Sequence, residues 1–274
     1  MHQNSATKRY FTSNIPPLYR YMPLSKIERI ESILFNLDLY HNSIHHFNDP
    51  FEFKFHAIPP TSKQEFEKYL SRTLISNQFH PKLNRAQRKI KVSDLSKDLY
   101  NGKTLIRDKF ERFISKVIDG NSKYGICCFS SNRDSLLQWS HYADSHQGIC
   151  IEFDFKHSSS LGIVPLEIIY QDEYPSINIY SKDRDNLDLL NKSLLTKHSS
   201  WSYEGEHRSI KPKIGNHKLE SRDQIKSITF GVNSKDEKIK EVIELLKKIN
   251  FKIPLYKTKR SDRKYELIRE PLPN

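Results

Sequence analysis

LLQWSHYADSHQGICIEFD, running from Leu136 to Asp154, changes its periodicity at Gly148. Before the glycine, DSLLQWSHYA reads as a short amphipathic helix, with Asp134 near its start, where a negative charge suits the helix dipole. After it, GICIEFDF alternates. Ile149, Ile151, Phe153 and Phe155 fall on one face of a strand, and Cys150, Glu152 and Asp154 on the other. Working outward, KYGICCFSS (Lys123 to Ser131) reads as a strand ending in small hydroxyls, and IVPLEIIY and QIKSITFG as two more. WSYEGEHRSI alternates like a strand, KDEKIKEVIELLKKIN is an amphipathic helix, and FKIPLYKTK with KYELIR makes two closing strands. Strands often follow strands directly, so the expected fold is α+β, with a mixed or antiparallel central sheet and helices, rather than a doubly wound sheet.

Towards the N-terminus, IPPLYRYMP reads as an extended segment. In SKIERIESILFN, Ser25 and Glu28 have capping-box spacing, and Ile27, Ile30, Ile33 and Leu34 recur at helical spacing. Asn48-Asp49-Pro50 is a turn, because Asn and Asp bond nearby backbone and Pro fixes φ. Residues 62–119 look mostly helical and charged, and KDRDNLDLLNKSLLTKH reads as a polar helix. The expectation is one domain over 1–274 with a basic helical insertion at about 62–120.

Only 36% of the residues are hydrophobic, but 14 Tyr and 15 Phe argue for a folded chain with a very polar surface. No apolar run reaches the roughly 18 residues of a membrane span, and MHQNSATKRYFTSN lacks the apolar core of a signal peptide. Cys127, Cys128 and Cys150 have no CxxC spacing, which predicts neither a disulfide framework nor a zinc ribbon. Together these predict a cytoplasmic protein with no membrane partner. The net charge of +12 is uneven. Pro81–Gly120 has 11 basic and 5 acidic residues (+6), Asn121–Glu204 has 7 and 11 (−4), and Gly205–Glu270 has 18 and 10 (+8). Basic flanks attract polyanions, so nucleic acid is a candidate partner; a solvated Lys-rich surface is the plain alternative.

Four polar clusters carry candidate chemistry: LYRY (18–21), FNDPFE (47–52), CFSS with WSHYADSHQG (128–148) and WSYEGEHR (201–208). On a strand, Glu204 and Glu206 point the same way. Two carboxylates on one face repel, which raises the pKa of one and provides an acid–base pair or a negative patch for a developing cation. The structural alternative is an edge strand with Glu paired to Arg208. His141, Asp144 and His146 are badly spaced for a metal, so no metal site is expected. Cys128 with His141 could pair as thiol and base, although two cysteines on an apolar strand are more often inert. A nuclease reading would gather Glu152, Asp154 and Glu204 around Mg²⁺. A non-catalytic nucleic-acid-binding module is the third reading.

Taken together, the four clusters with ITFG resemble a bacterial family catalogued as a domain of unknown function, over Leu18 to about Gly231. More distantly, their order resembles the ADP-ribosyltransferase fold. LYRY with the following helix matches its first strand and helix, CFSS its second strand, and YEGEHRSI its late Glu-containing element. CFSS departs from the Ser-Thr-Ser pattern of that fold. The resemblance implies an enzyme that uses NAD as substrate. Glu206 would be catalytic, with Glu204 aiding acceptor or ribose contact. Arg20, beside Tyr21, would hold a phosphate or ribose, and Ser130 the nicotinamide ribose. Trp139 and Tyr142 would pack around the nicotinamide end, with His141 or Asp144 bonding ribose hydroxyls. The implied role is a toxin or phage-defence effector that modifies nucleic acid or protein, restrained by a regulatory protein partner.

Overall fold

The computed structural model describes residues 15–58, 60, 62–72, 75, 81–101, 122–156, 158, 162–177 and 192–272. The chain divides into two units, Met1–Phe47 with Lys123–Tyr170 and Ser199–Asn274, and Asn48–Ser122 with Gln171–His198. The first unit holds the strands β1 (Leu18–Met22), β2 (Gly125–Ser130), β3 (Ile149–Phe153), β4 (Leu166–Glu167), β5 (Glu206–Lys211), β6 (Ile225–Phe230), β7 (Leu255–Arg260) and β8 (Leu267–Pro271). They form one sheet in the order β8-β7-β6-β3-β1-β2-β5-β4. The β6–β7 pair is parallel and the others are antiparallel. With helices α1 (Ile27–Asn36), α2 (Leu136–Tyr142) and α3 (Asp236–Lys248), this is a mixed α+β fold around a large mixed sheet. Among the described residues, no helix is long and apolar enough to cross a membrane.

Strand alternation gives the sheet two different faces. On one, Leu18, Met22, Ile149, Ile151, Phe153, Ile228 and Phe230 pack with Ile30, Ile33 and Leu34 of α1 and Ile239, Val242 and Leu246 of α3. On the other, Tyr21 and Cys150 pack with Trp139 and Ala143, and Tyr19, Tyr142 and Leu267 close round them. The periodicity switch at Gly148 is the hinge between these faces. Asp144, Ser145 and His146 take φ of 51°, 52° and 66°, a left-handed turn that costs non-glycine residues about 1–2 kcal/mol each. The turn is held by bonds from His146 N to Trp139 O (3.0 Å), Gly148 N to Ala143 O (2.7 Å) and Asn233 N to His146 O (3.0 Å). At Gly148 an added Cβ would collide with the Met22 carbonyl, so the chain enters β3 hard against β1.

Two local expectations change. Pro23, with extended backbone, leads straight into a 3-10 turn at Leu24–Lys26, so Ser25 lies inside that turn and does not cap α1; the N-cap is Lys26, with no side-chain bond. A capping box forms instead at Ser221 and Gln224. WSYEGEHRSI is not one strand: Ser199–Glu204 is a 3-10 helix, Gly205 turns with φ 50°, and β5 starts at Glu206.

In the second unit, Asp49 makes the expected turn, its Oδ1 accepting from Phe51 N (2.8 Å). Lys63–Arg72 and Arg85–Asn101 are helices from the expected insertion, while 102–121 lie outside the described residues. The polar helix read over 182–198 also falls largely outside them, and its end, Thr196–His198, is a strand. Glu52 and Lys197 form a buried ion pair at 3.3 Å within this unit.

Candidate functional site

Three strands from distant parts of the chain meet in one row. Tyr19 of β1 stands opposite Ser130 of β2, and Ser130 stands opposite Glu206 of β5. Directly paired residues share a face, so Tyr19, Ser130 and Glu206 line up on the α2 side of the sheet. Just past the end of β2 lies a cleft of about 560 Å³, lined by Tyr19, Ser131, Asn132, Arg133, Asp134, Ser135 and Tyr203. Its volume is within the usual range for small-molecule sites.

Under the cleft, Ser130 Oγ donates to Glu204 O (2.6 Å) and accepts from Asn132 N and Gln138 Nε2 (both 2.8 Å). Gln138 Nε2 also donates to Glu204 O (2.8 Å). Tyr142 OH donates to Glu204 Oε1 (2.6 Å). Ser131 N donates to Gly205 O (2.9 Å), and Asn132 Nδ2 to Tyr203 O (2.8 Å). The CFSS loop, α2 and the EGE segment are thus bonded into one wall.

Glu206 is engaged differently. Its Oε1 accepts from Arg208 Nε (2.7 Å), its Oε2 from Arg208 Nη2 (3.1 Å), and its amide donates to Tyr170 OH (2.7 Å). Arg208 is fully buried and lies over the Phe47 ring, 5.4 Å from its centroid. Both Glu204 and Glu206 keep 4% of their surface exposed. The two carboxylates do not share a strand face as the alternation implied. Gly205 breaks the alternation, so they leave the turn by separate routes, Glu204 to Tyr142 and Glu206 to Arg208. Nor is β5 an edge strand, since it runs between β2 and β4.

None of the expected site residues, Glu204 and Glu206 included, lines the cleft, and most of them support its wall. Tyr21 is buried and donates from OH to Asn132 O (2.7 Å) and Arg133 O (2.5 Å). Trp139 is fully buried and edge-on to Tyr21, ring centroids 5.2 Å apart. Ser130 is committed to the wall, and the neighbouring Ser131 takes the lining position. His141 is exposed, with its ring 6.2 Å from that of Tyr142. Arg20 is not brought to the cleft. It follows Tyr19 on β1 and so points to the opposite face, where it donates to Cys127 Sγ and lies over Phe129. Gln138, Tyr19, Arg133 and Tyr203 were missed. No charge or motif marks Gln138, and the parity that puts Tyr19 on the cleft side appears only once β1 is paired.

Beside the cleft, Glu152 accepts from Ser227 Oγ (2.5 Å) and lies 3.8 Å from Arg269 Nη1. Burial, and next the Glu152 carboxylate, push the Tyr19 phenol above its ordinary pKa, so it stays protonated as a donor. Cys127 is raised by burial and Cys150 likewise, so neither is a reactive thiol. Among the described residues, no three His, Cys, Asp or Glu side chains gather as a metal site, so Glu152, Asp154 and Glu204 do not converge.

A family described as "Protein of unknown function (DUF2971)" matches residues 138–209. This supports the expected likeness to a family of unknown function over that segment. The segment contains Gln138, Tyr142, Glu204, Glu206 and Arg208, which hold the wall, and stops short of β1 and β2. No curated protein and no solved structure matches the chain.

Proposed function

We propose that the protein is an ADP-ribosyltransferase-like enzyme that consumes NAD in the cleft between Tyr19, the 131–135 loop and Tyr203. The observation that carries this reading is the Tyr19–Ser130–Glu206 row. It puts the LYRY, CFSS and EGE strands side by side, with a cleft at the end of that row. The lining chemistry fits the substrate. Two tyrosines offer faces to planar rings, three of the lining residues carry hydroxyl or amide groups for ribose, and Arg133 offers a cation for phosphate.

The reaction would break the bond between nicotinamide and C1′ of its ribose, pass through a cation-like transition state, and let an acceptor nucleophile, losing its proton, bond to C1′. The chain's part is electrostatic. Arg208, bonded to both oxygens of Glu206, fixes that carboxylate in direction. A carboxylate held in direction favours positive charge as it passes from the nicotinamide ring to its ribose. Glu204, held by Tyr142, is assigned to the acceptor or ribose side. The acceptor is a nucleic acid or a protein, with the basic Gly205–Glu270 segment favouring the first.

The test is nicotinamide release from NAD, with RNA, DNA and protein acceptors offered in turn. It compares the wild type with Glu206→Gln, Glu206→Asp and Glu204→Gln at a temperature where circular dichroism shows each variant folded. Loss of Glu206 should lower turnover about 10²–10³-fold, and loss of Glu204 less. No release from the wild type under any acceptor, or full turnover in Glu206→Gln, removes the assignment.

A further inference from the structure

The residue expected to hold phosphate, Arg20, is buried on the wrong face, engaged with Cys127 and Phe129. The cleft nevertheless has a guanidinium on its wall. We infer that Arg133 is the anion anchor of the cleft, holding the pyrophosphate of a dinucleotide, and that Asp134 is a resting partner which the ligand displaces. The inference rests on reading the cleft as an NAD site, but its own test does not depend on turnover.

The backbone here is unusually well held for a loop. Tyr21 donates its hydroxyl to the carbonyls of both Asn132 and Arg133, at 2.7 and 2.5 Å. Burial of that phenol raises its pKa, so it remains a donor. Asn132 adds bonds to Ser130 and to the carbonyl of Tyr203 (2.8 Å each). The Cα of Arg133 is therefore fixed relative to the Tyr19–Ser130–Glu206 row. The side chain beyond it rests on Asp134.

Arg133 pairs with its immediate neighbour, Nε to Asp134 Oδ1 and Oδ2 at 3.0 and 3.2 Å and Nη2 to Oδ2 at 2.9 Å. The side chains are 39% and 48% exposed. An ion pair this open stabilises little, because water screens it and two flexible side chains must be held together. Exchanging Asp134 for a phosphate therefore costs little. The guanidinium fork that fits a carboxylate with two N–H groups fits a phosphate equally well. Asp134 also competes with any anion that enters, because like charges repel. This predicts opposite signs for substitutions at the two neighbours. A merely structural Arg133–Asp134 pair would give the same sign for both.

The experiment is calorimetric titration of the full chain with ADP-ribose and with inorganic pyrophosphate, plus a single-stranded oligonucleotide as a control polyanion. The wild type should bind ADP-ribose. Arg133→Ala should weaken both small probes about ten- to a hundredfold, Arg133→Lys should recover part of that loss, and Asp134→Asn should tighten both about two- to fivefold. Thermal melts should match the wild type, since both side chains are exposed. The inference is overturned if the wild type binds neither small probe, if Arg133→Ala binds them as well as the wild type does, if Asp134→Asn weakens them, or if Arg133 affects the oligonucleotide alone. Arg133-dependent ADP-ribose binding without nicotinamide release would keep the anchor and remove the transferase reading. Nicotinamide release unaffected by Arg133→Ala would do the reverse.

Discussion

Glu206 and Arg208 lie two residues apart on one face of β5 and hold each other through two bonds, 2.7 and 3.1 Å, with Arg208 fully buried and Glu206 nearly so. Such a pair is worth little against a well-packed apolar substitute, yet breaking it strands a buried charge. Glu206→Gln should therefore cost about 3–5 kcal/mol of stability, or roughly 6–20 °C in Tm at about 2–4 °C per kcal/mol. The double variant Glu206→Gln with Arg208→Met should recover part of it. Differential scanning calorimetry of the three proteins measures this, and an unchanged melt for Glu206→Gln would show that the pair is not formed in solution.

Acid should destabilise the first unit through His41. This histidine is buried between the Leu39 carbonyl, which accepts from Nδ1 (2.9 Å), and Ser209 Oγ, which donates to Nε2 (3.1 Å). Burial lowers its pKa from 6.5 to about 3, a direction reinforced by His217, Arg20 and Lys211. Between those values the unfolded chain takes up a proton that the folded chain refuses. Stability should be greatest above pH ~6.5 and fall as the pH drops towards 3, by at most roughly 5 kcal/mol. His207, lowered by burial, acts in the same direction. Denaturant titrations across this range should show the decline, and a His41→Gln variant should flatten it. A flat wild-type profile would contradict the buried neutral imidazole.

Much of this was legible in the sequence, and the rest was hidden for identifiable reasons. The alternation of Ile149, Ile151 and Phe153 against Cys150 and Glu152 is a local signal, and it predicted β3 and its two faces correctly. The row of Tyr19, Ser130 and Glu206 is not local. It depends on register between strands 111 and 76 residues apart (130 − 19 and 206 − 130), and a slip of one residue would exchange Tyr19 for Arg20. Parity within LYRY was therefore undetermined. Gly205 hid the divergence of Glu204 and Glu206, because one left-handed residue breaks a period of two. Arg133 follows a strand with no motif to mark it, and only the fold shows Tyr21 holding its backbone.

Gly205 should tolerate no side chain. Its φ is +50°, and a Cβ there would collide with Ser131 Oγ. Gly205→Ala should cost about 1–2 kcal/mol in backbone strain and also push Ser131 out of its lining position. ADP-ribose binding should therefore weaken while the melt falls only by several degrees. Titration and a melt on the same sample separate the two effects. Unchanged binding would mean that Ser131 contributes nothing to the cleft.

Tyr142→Phe removes the hydroxyl that donates to Glu204 at 2.6 Å while leaving the ring in place. Loss of a bond to a nearly buried carboxylate should cost about 1–3 kcal/mol. Denaturant titration of the variant beside the wild type measures the loss, and an unchanged midpoint would place the Tyr142 hydroxyl elsewhere.

Strand β1 sits in the middle of the sheet, yet both of its neighbours, β2 and β3, come from residues 125–153. During synthesis it leaves the ribosome long before either partner exists. At roughly 5–20 residues per second, the wait is on the order of ten seconds. Through that interval Leu18 and Met22 have no sheet to join, and the nascent chain presents an apolar strand with open backbone edges. Such a segment is a natural binding site for a holding chaperone. Yield in cells should therefore respond to translation speed and chaperone supply more than the stability of the finished protein would suggest.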